Sequence, residues 1–290
     1  MQGKPKLIAF AGIGLGLFAI AARANIFVED RREQRNPTFP IYRSVGLLHN
    51  PQSGASGTAF LVGKCHVVTA YHVAFMKERD PVTGRVTTTP GKAGYTAEFL
   101  IGLDPEVPGR FASRTRATVV DFGNYVDAGF QGMPGDWAIL RLDDCVGKQY
   151  GFLKYARPGN DKPMPRGELM TVAFAVSRVA QAGITVEKGC KARDYGPAPG
   201  LVGVDCAFES GMSGGPVLER QSDRRWLVVG LIQQSTGRAD AVLPSYSMQH
   251  RNQMVYVTAF WKALDRAIAA ERPRGPTNRA NKNSAAQVPR

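Results

Sequence analysis

At 290 residues the chain exceeds one typical domain by length, but closed all-β architectures run to this size as one compact unit. The formal charge of +13 is dispersed rather than gathered into a stripe, which argues against a specific nucleic-acid partner; removing residues 1–24 takes away Lys4, Lys6 and Arg23 and no acid, leaving +10. The four cysteines form no Cys-x-x-Cys pair and the four histidines do not cluster at ligand spacing, so no metal and no cofactor is expected.

The chain opens with a charged stretch (Lys4, Lys6), an apolar run over residues 7–21 and the small-x-small pattern Ala22-Arg23-Ala24, which reads as an export signal with a mature chain starting at Asn25. An uncleaved membrane anchor is the alternative for residues 1–24. Residues 25–40 read as an N-terminal extension. Short apolar, β-branched runs separated by glycine, proline and polar clusters follow, the pattern of strands in a barrel or sandwich. Residues 44–48, 58–62, 66–69, 99–103, 117–122 and 138–142 supply six strands, enough for one barrel, within a first domain of residues 41–160. Residues 79–94, with two prolines and a threonine run, read as a long loop. The proline- and glycine-rich stretch 155–164 is the expected linker to a second domain, 161–270, with strands at 169–176, 184–186, 202–208, 216–218, 226–233 and 254–257. A terminal helix follows, capped by Thr258, with Trp261, Leu264 and Ile268 on one face and Pro273 ending it. Residues 271–290 read as a basic disordered tail carrying Arg272, Arg274, Arg279, Lys282 and Arg290.

Three segments carry the chemistry: Thr69-Ala70-Tyr71-His72, Gly135-Asp136-Trp137 with the apolar run after it, and Gly211-Met212-Ser213-Gly214-Gly215-Pro216. A serine hydroxyl is a weak nucleophile at neutral pH; it needs an imidazole to take its proton and a buried carboxylate to hold the imidazole tautomer. Asp121 and Asp127 are rivals to Asp136, which is preferred because a glycine precedes it and an apolar strand follows. Asp143 and Asp144 read as solvated, and His49, His66 and His250 have no catalytic company in sequence.

With the order His, Asp, Ser, the chain resembles the chymotrypsin-like (trypsin-like) serine peptidase family over roughly residues 42–270. The resemblance implies an all-β fold of two six-stranded antiparallel β-barrels with a C-terminal α-helix. It puts His72 and Asp136 on the first barrel and Ser213 on the second, the cleft between them assembling the site. It implies a serine endopeptidase acting on protein or peptide substrates through an acyl-enzyme, with the Gly211 and Ser213 N–H groups as the oxyanion hole. Export makes two disulfides the default, although four cysteines allow three connectivities. The favoured pairing is Cys65 with Cys145, tying the strand entering His72 to the segment leaving Asp136, and Cys190 with Cys206, closing a short loop before Ser213; unpaired buried thiols are the alternative.

Departures from the family pattern are informative. Met212 stands where digestive enzymes place an aspartate, and no Ile-Val-Gly-Gly start is present, so activation by a new amino terminus is not expected and the bacterial exported branch is the nearer likeness. The candidate pocket residues are Ala207, Gln233 and Ser235; with no acid at Ala207 and no histidine in Val229-Gly230-Leu231-Ile232-Gln233-Gln234, a small or medium apolar side chain is expected at the cleaved position. A periplasmic or secreted location follows from the signal, with no obligatory membrane contact after its cleavage. A peptidase-fold binding protein without activity and a membrane-tethered protease retaining residues 1–24 remain as alternatives.

Overall fold

The computed structural model describes residues 25–271 apart from residues 53, 76, 80–85, 89, 126–132, 159–163, 179–182 and 236–241. The export signal and most of the basic tail therefore lie outside the described residues, as do Asp127 and Pro273. The N-terminal segment forms strands β1 (Ile26–Phe27) and β2 (Glu33–Arg35). Next come β3 (Val45–His49), β4 (Ser56–Leu61), β5 (His66–Thr69) and the single-turn helix α1 (Tyr71–Ala74). Residues expected as a plain loop instead contribute to an antiparallel hairpin of β6 (Lys77–Arg79) and β7 (Val86–Thr88). Threonine and valine favour a strand there, which the proline and glycine punctuation hid. The first half ends with β8 (Thr96–Leu103), β9 (Phe111–Phe122), β10 (Ala138–Leu142) and the short helix α2 (Gly147–Tyr150).

Six strands close into a barrel in the order β10-β5-β4-β3-β8-β9. All of β5 and all but the first residue of β4 are buried, whereas β9 alternates along much of its length, as a strand with one solvated face should. Phe60, Phe99, Ile101, Ile139 and Leu140 fill the interior at 0% exposure; each contributes about 1.5–3 kcal/mol by leaving water. Closure leaves no strand edge unpaired.

The second half begins with β11 (Leu169–Ala173), β12 (Ile184–Cys190), β13 (Ala192–Tyr195) and β14 (Leu201–Val204). It continues with β15 (Pro216–Arg220), β16 (Trp226–Ser235), β17 (Val242–Leu243) and β18 (Asn252–Tyr256). All six expected strands are present, in an eight-stranded sheet ordered β13-β14-β18-β16-β15-β11-β12-β2. The two additional strands are β13, whose alternating Ala192-Arg-Asp-Tyr195 carries little apolar signal, and β2 from the N-terminal segment, paired antiparallel to β12. The strand expected over 202–208 stops at Val204; beyond it the Asp205 carboxylate accepts the Lys191 N–H and Phe208 bridges to Asn25. β1 runs parallel to β17.

Helix α3 (Trp261–Ala270) buries Leu264 and packs Trp261 and Ile268 on the core, the face read from the sequence. Its cap differs from expectation: Thr258 lies inside a 3-10 turn (Val257–Ala259), Phe260 occupies the cap position, and no side chain caps the helix. The helix ties the halves together. Asp265 accepts from Arg157 at 2.9 Å and from Tyr155, at the start of the linker, while Arg266 reaches Asp121 of the first barrel at 3.3 Å.

Candidate active site

β5 delivers the chain into α1, the turn that presents His72 at the barrel rim. That turn has no capping side chain; aromatic packing holds it. The Tyr71 ring lies 4.3 Å from Phe75 and 5.9 Å from Phe122, and Phe75 lies 5.6 Å from Tyr95, centroid to centroid. A 3-10 turn (Met133–Gly135) places Asp136 at the entry to β10, which pairs with β5. Asp136 is completely buried. Its Oδ1 accepts the His72 backbone N–H at 3.0 Å, and its Oδ2 lies 2.8 Å from His72 Nδ1. An ionised carboxylate only accepts, so Nδ1 carries the imidazole proton and Nε2 is left with its lone pair, the tautomer a general base requires. Of the rival aspartates, Asp121 is only half-buried and is taken up by Phe122 N and Arg266.

The Ser213 turn is shaped by glycines in the left-handed region, Gly211 at φ +89° and Gly214 at φ +82°. A side chain at Gly214 would collide with Thr69 Oγ1, the Thr58 carbonyl and the Ala70 N. The serine turn thus sits directly against the segment that leads into His72. Thr58, on β4, pins it from the first barrel. Its N–H donates to the Ser213 carbonyl at 2.9 Å, and its hydroxyl donates to the Gly211 carbonyl at 2.8 Å while accepting the Phe174 N–H at 3.0 Å. Among the described residues, neither the Gly211 nor the Ser213 N–H has a hydrogen-bond acceptor in the protein, while the Ser213 hydroxyl donates to the Gln233 carbonyl at 3.3 Å rather than to His72.

The candidate pocket residues divide. Ala207 is buried, and its N–H donates to Glu187 Oε2 at 2.7 Å. Burial pushes the Glu187 carboxyl up, against this bond and the Arg31 guanidinium 3.2 Å away. Gln233 is buried with both side-chain amide atoms unpartnered, and Ser235 lies at the end of β16 opposite Asn252. Both disulfides form as favoured, Cys65–Cys145 and Cys190–Cys206. Asp143 and Asp144 are exposed, and His66 is buried 3.5 Å from Glu271, remote in role from His72. Sequence reasoning overlooked Thr58 and, although it marked Glu209 beside the candidate pocket, could not place that side chain. A lone hydroxyl in the buried run Gly57-Thr58-Ala59-Phe60 was the available signal for the first, because a buried polar group needs a partner. Glu209 pairs with Arg32 across 177 positions, for which no local signal exists.

The fold is similar to several solved structures. A Glu endopeptidase determined in complex with MPD aligns with a TM-score of 0.57 at 16% identity, covering 84% of this chain and 99% of the other. Protease Anisep from Arthrobacter nicotinovorans aligns at 0.56 with 16% identity, covering 82% and 99%. The thermostable serine protease AL20 from an extremophilic microorganism aligns at 0.53 with 14% identity, covering 78% and 97%. No curated protein sequence matches the chain. The model of the trypsin-like peptidase domain matches residues 57–231, a span that takes in Thr58, His72, Asp136 and Ser213 and more than half of the chain. The protein thus belongs to the trypsin-like peptidase family, the serine-type endopeptidases among the hydrolases.

Proposed function

We propose that this peptidase cleaves protein or peptide substrates through an acyl-enzyme formed on Ser213, with His72 as base and Asp136 as its orienter. Ser213 Oγ attacks the scissile carbonyl carbon while His72 Nε2 takes the hydroxyl proton. The Gly211 and Ser213 N–H groups stabilise the oxyanion. His72 then returns the proton to the leaving amine, and a water molecule repeats the sequence to release the acid. The observation that carries this reading is the fully buried Asp136 holding His72 Nδ1 at 2.8 Å, on the segment that packs against the Ser213 turn. The Ser213 hydroxyl must leave the Gln233 carbonyl for His72 when substrate enters; catalytic hydrogen bonds commonly tighten only in the complex.

Export is part of the proposal. Two disulfides fit an oxidising compartment, and no helix among the described residues is long and apolar enough to cross a membrane. The uncharged Ala207 supports cleavage after small or medium apolar side chains rather than after Arg or Lys.

A fluorophosphonate probe reacts only with activated serines and tests the assignment. The purified protein should be modified at Ser213, mapped by mass spectrometry, and Ser213→Ala should fold but stay unlabelled, with kcat lower by about 10⁶. Retained turnover in that variant would end the assignment. A folded parent that resists the probe would favour the inactive binding protein.

A further inference from the structure

Residues 25–35 run as a strap behind the segment from Cys206 to Ser213. Asn25 bridges to Phe208, and the Asn252 side chain donates to both the Asn25 and Cys206 carbonyls. Arg31 pairs with Glu187, which holds the Ala207 N–H. The strongest contact is made by Arg32. Its side chain is 3% exposed and that of its partner Glu209 only 1%. Glu209 also accepts the Ser177 N–H and hydroxyl, each at 2.8 Å. Arg32 itself is locked by Asp30 at 2.8 Å, and Arg178 bonds both the Arg32 carbonyl at 2.9 Å and Asp30 at 2.8 Å.

This network ends on the catalytic turn. The Glu209 carbonyl accepts the Met212 N–H at 3.2 Å, the Ser210 carbonyl accepts the Val176 N–H at 2.9 Å, and Arg32 Nη1 lies 4.0 Å from Met212 Sδ. The buried cation therefore stands behind the residues that supply the proposed oxyanion donors. We infer that Arg32 is a positioning residue for the Ser213 reaction: delivered by the N-terminal strap, it neutralises Glu209 and so fixes residues 209–213 in the conformation that aims the Gly211 and Ser213 N–H groups. This inference rests on the reading of Ser213 as nucleophile.

The physical reason is the cost of burying a lone charge. A carboxylate stripped of its buried partner is strongly destabilised where it stands. The relief open to Glu209 is to swing toward water. That motion drags the backbone through Met212 N and turns Gly211 out of its left-handed conformation, so the donors lose their aim before the fold is lost.

The test compares Arg32→Met with the parent, well below either melting temperature, on a peptide ester substrate and on a peptide boronate, which binds Ser213 as a tetrahedral adduct. The expected result is a kcat lower by about tenfold to 10², KM within about twofold, and boronate affinity weakened by the same factor as kcat, because loss of an oxyanion donor acts on the tetrahedral state. Arg32→Lys, which keeps the charge, should recover part of both. If Arg32→Met does not fold, Arg32→Lys carries the test alone, because it keeps the charge but not the forked hold on Glu209 and Asp30, and should show a smaller joint loss in kcat and boronate affinity; Arg32→Met/Glu209→Gln, which removes both charges and with them the cost of a lone one, should recover toward the parent. A folded Arg32→Met, or in its absence Arg32→Lys, with parental kcat and boronate affinity overturns the inference, and so does a double variant that loses as much as Arg32→Met. So does a loss confined to melting temperature, which marks Arg32 as structural only. A parent that neither turns over nor is labelled at Ser213 removes the nucleophile reading, and the inference falls with it.

Discussion

The two halves of the molecule solve the same problem differently. The first closes on itself: six strands return to their starting edge, and the His72–Asp136 pair is held by neighbouring strands of one barrel with a buried carboxylate at its centre. The second is an eight-stranded sheet that takes a strand from the N-terminal segment, and its serine turn is held both by β16 of that sheet, through Ile232 and Gln233, and by contacts from outside it. Thr58 reaches over from the first barrel and Arg32 from the strap. A base and its orienter need only be fixed relative to each other. On the proposed mechanism a nucleophile turn must be fixed relative to the base and also shaped to aim two N–H groups, and the Ser213 turn is clamped from both sides.

After Ser213→Ala itself, the largest expected effect falls on the self-contained half. Asp136→Asn keeps the shape of the buried site but offers an amide donor to Nδ1, favouring the wrong imidazole tautomer, and should lower kcat by about 10⁴ with melting little changed. Parental turnover would mean that His72 is oriented by something other than Asp136.

The disulfides sharpen the comparison next. Cys65–Cys145 spans 80 residues of the first half, and Cys190–Cys206 spans 16 of the second. Loop entropy makes the longer bridge the stronger, about 4–5 kcal/mol against about 3. Paired replacement by serine, followed by urea unfolding, should rank them in that order. The reverse ranking would show that the loop before Ser213 depends on its bridge for native geometry as well as for entropy.

Thr58→Val probes the clamp between the halves. It removes the hydroxyl that joins Gly211 to Phe174 and leaves the part-buried Phe174 N–H without its acceptor and the Gly211 carbonyl without this donor, costing about 1–3 kcal/mol. Because the lost bond ends on the proposed oxyanion turn, kcat should fall by more than the loss in folded fraction accounts for. A purely proportional loss would confine Thr58 to stability.

The smallest effect concerns acid. Burial alone would raise the Asp30 carboxyl, but hydrogen bonds and charge from Arg32, with Arg178 beside it, bring it down from 3.8 to about 2. A carboxylate depressed on folding adds stability that is fully present above the unfolded value and lost as pH falls toward the folded one, here between about pH 4 and pH 2. Solvent screening limits this to on the order of 1 kcal/mol. Asp30→Asn should flatten stability against pH in that window and lower it by a constant amount of that order near pH 7.

The sequence by itself determined the parts governed by local rules. Alternating and continuous apolar runs fix strands such as His66–Thr69 and Ala138–Leu142 to the residue, because side-chain period and β-branching are properties of short windows. Glycines around Ser213 declare a tight turn because only they enter the left-handed region at no cost. The order of His72, Asp136 and Ser213 carried the family resemblance, while the four cysteines left three pairings open, of which the fold forms the favoured one. Only the tertiary structure decided how distant surfaces meet. Glu33–Arg35 joins β12 because that edge is open, although nothing in three polar residues announces a strand. Thr58 becomes a clamp because β4 passes beside the serine turn, and Arg32 finds Glu209 because the strap crosses behind it. Hydrogen bonds and ion pairs of this kind depend on distances of a few ångströms between residues far apart in the chain, and those distances exist only once both halves have folded and docked.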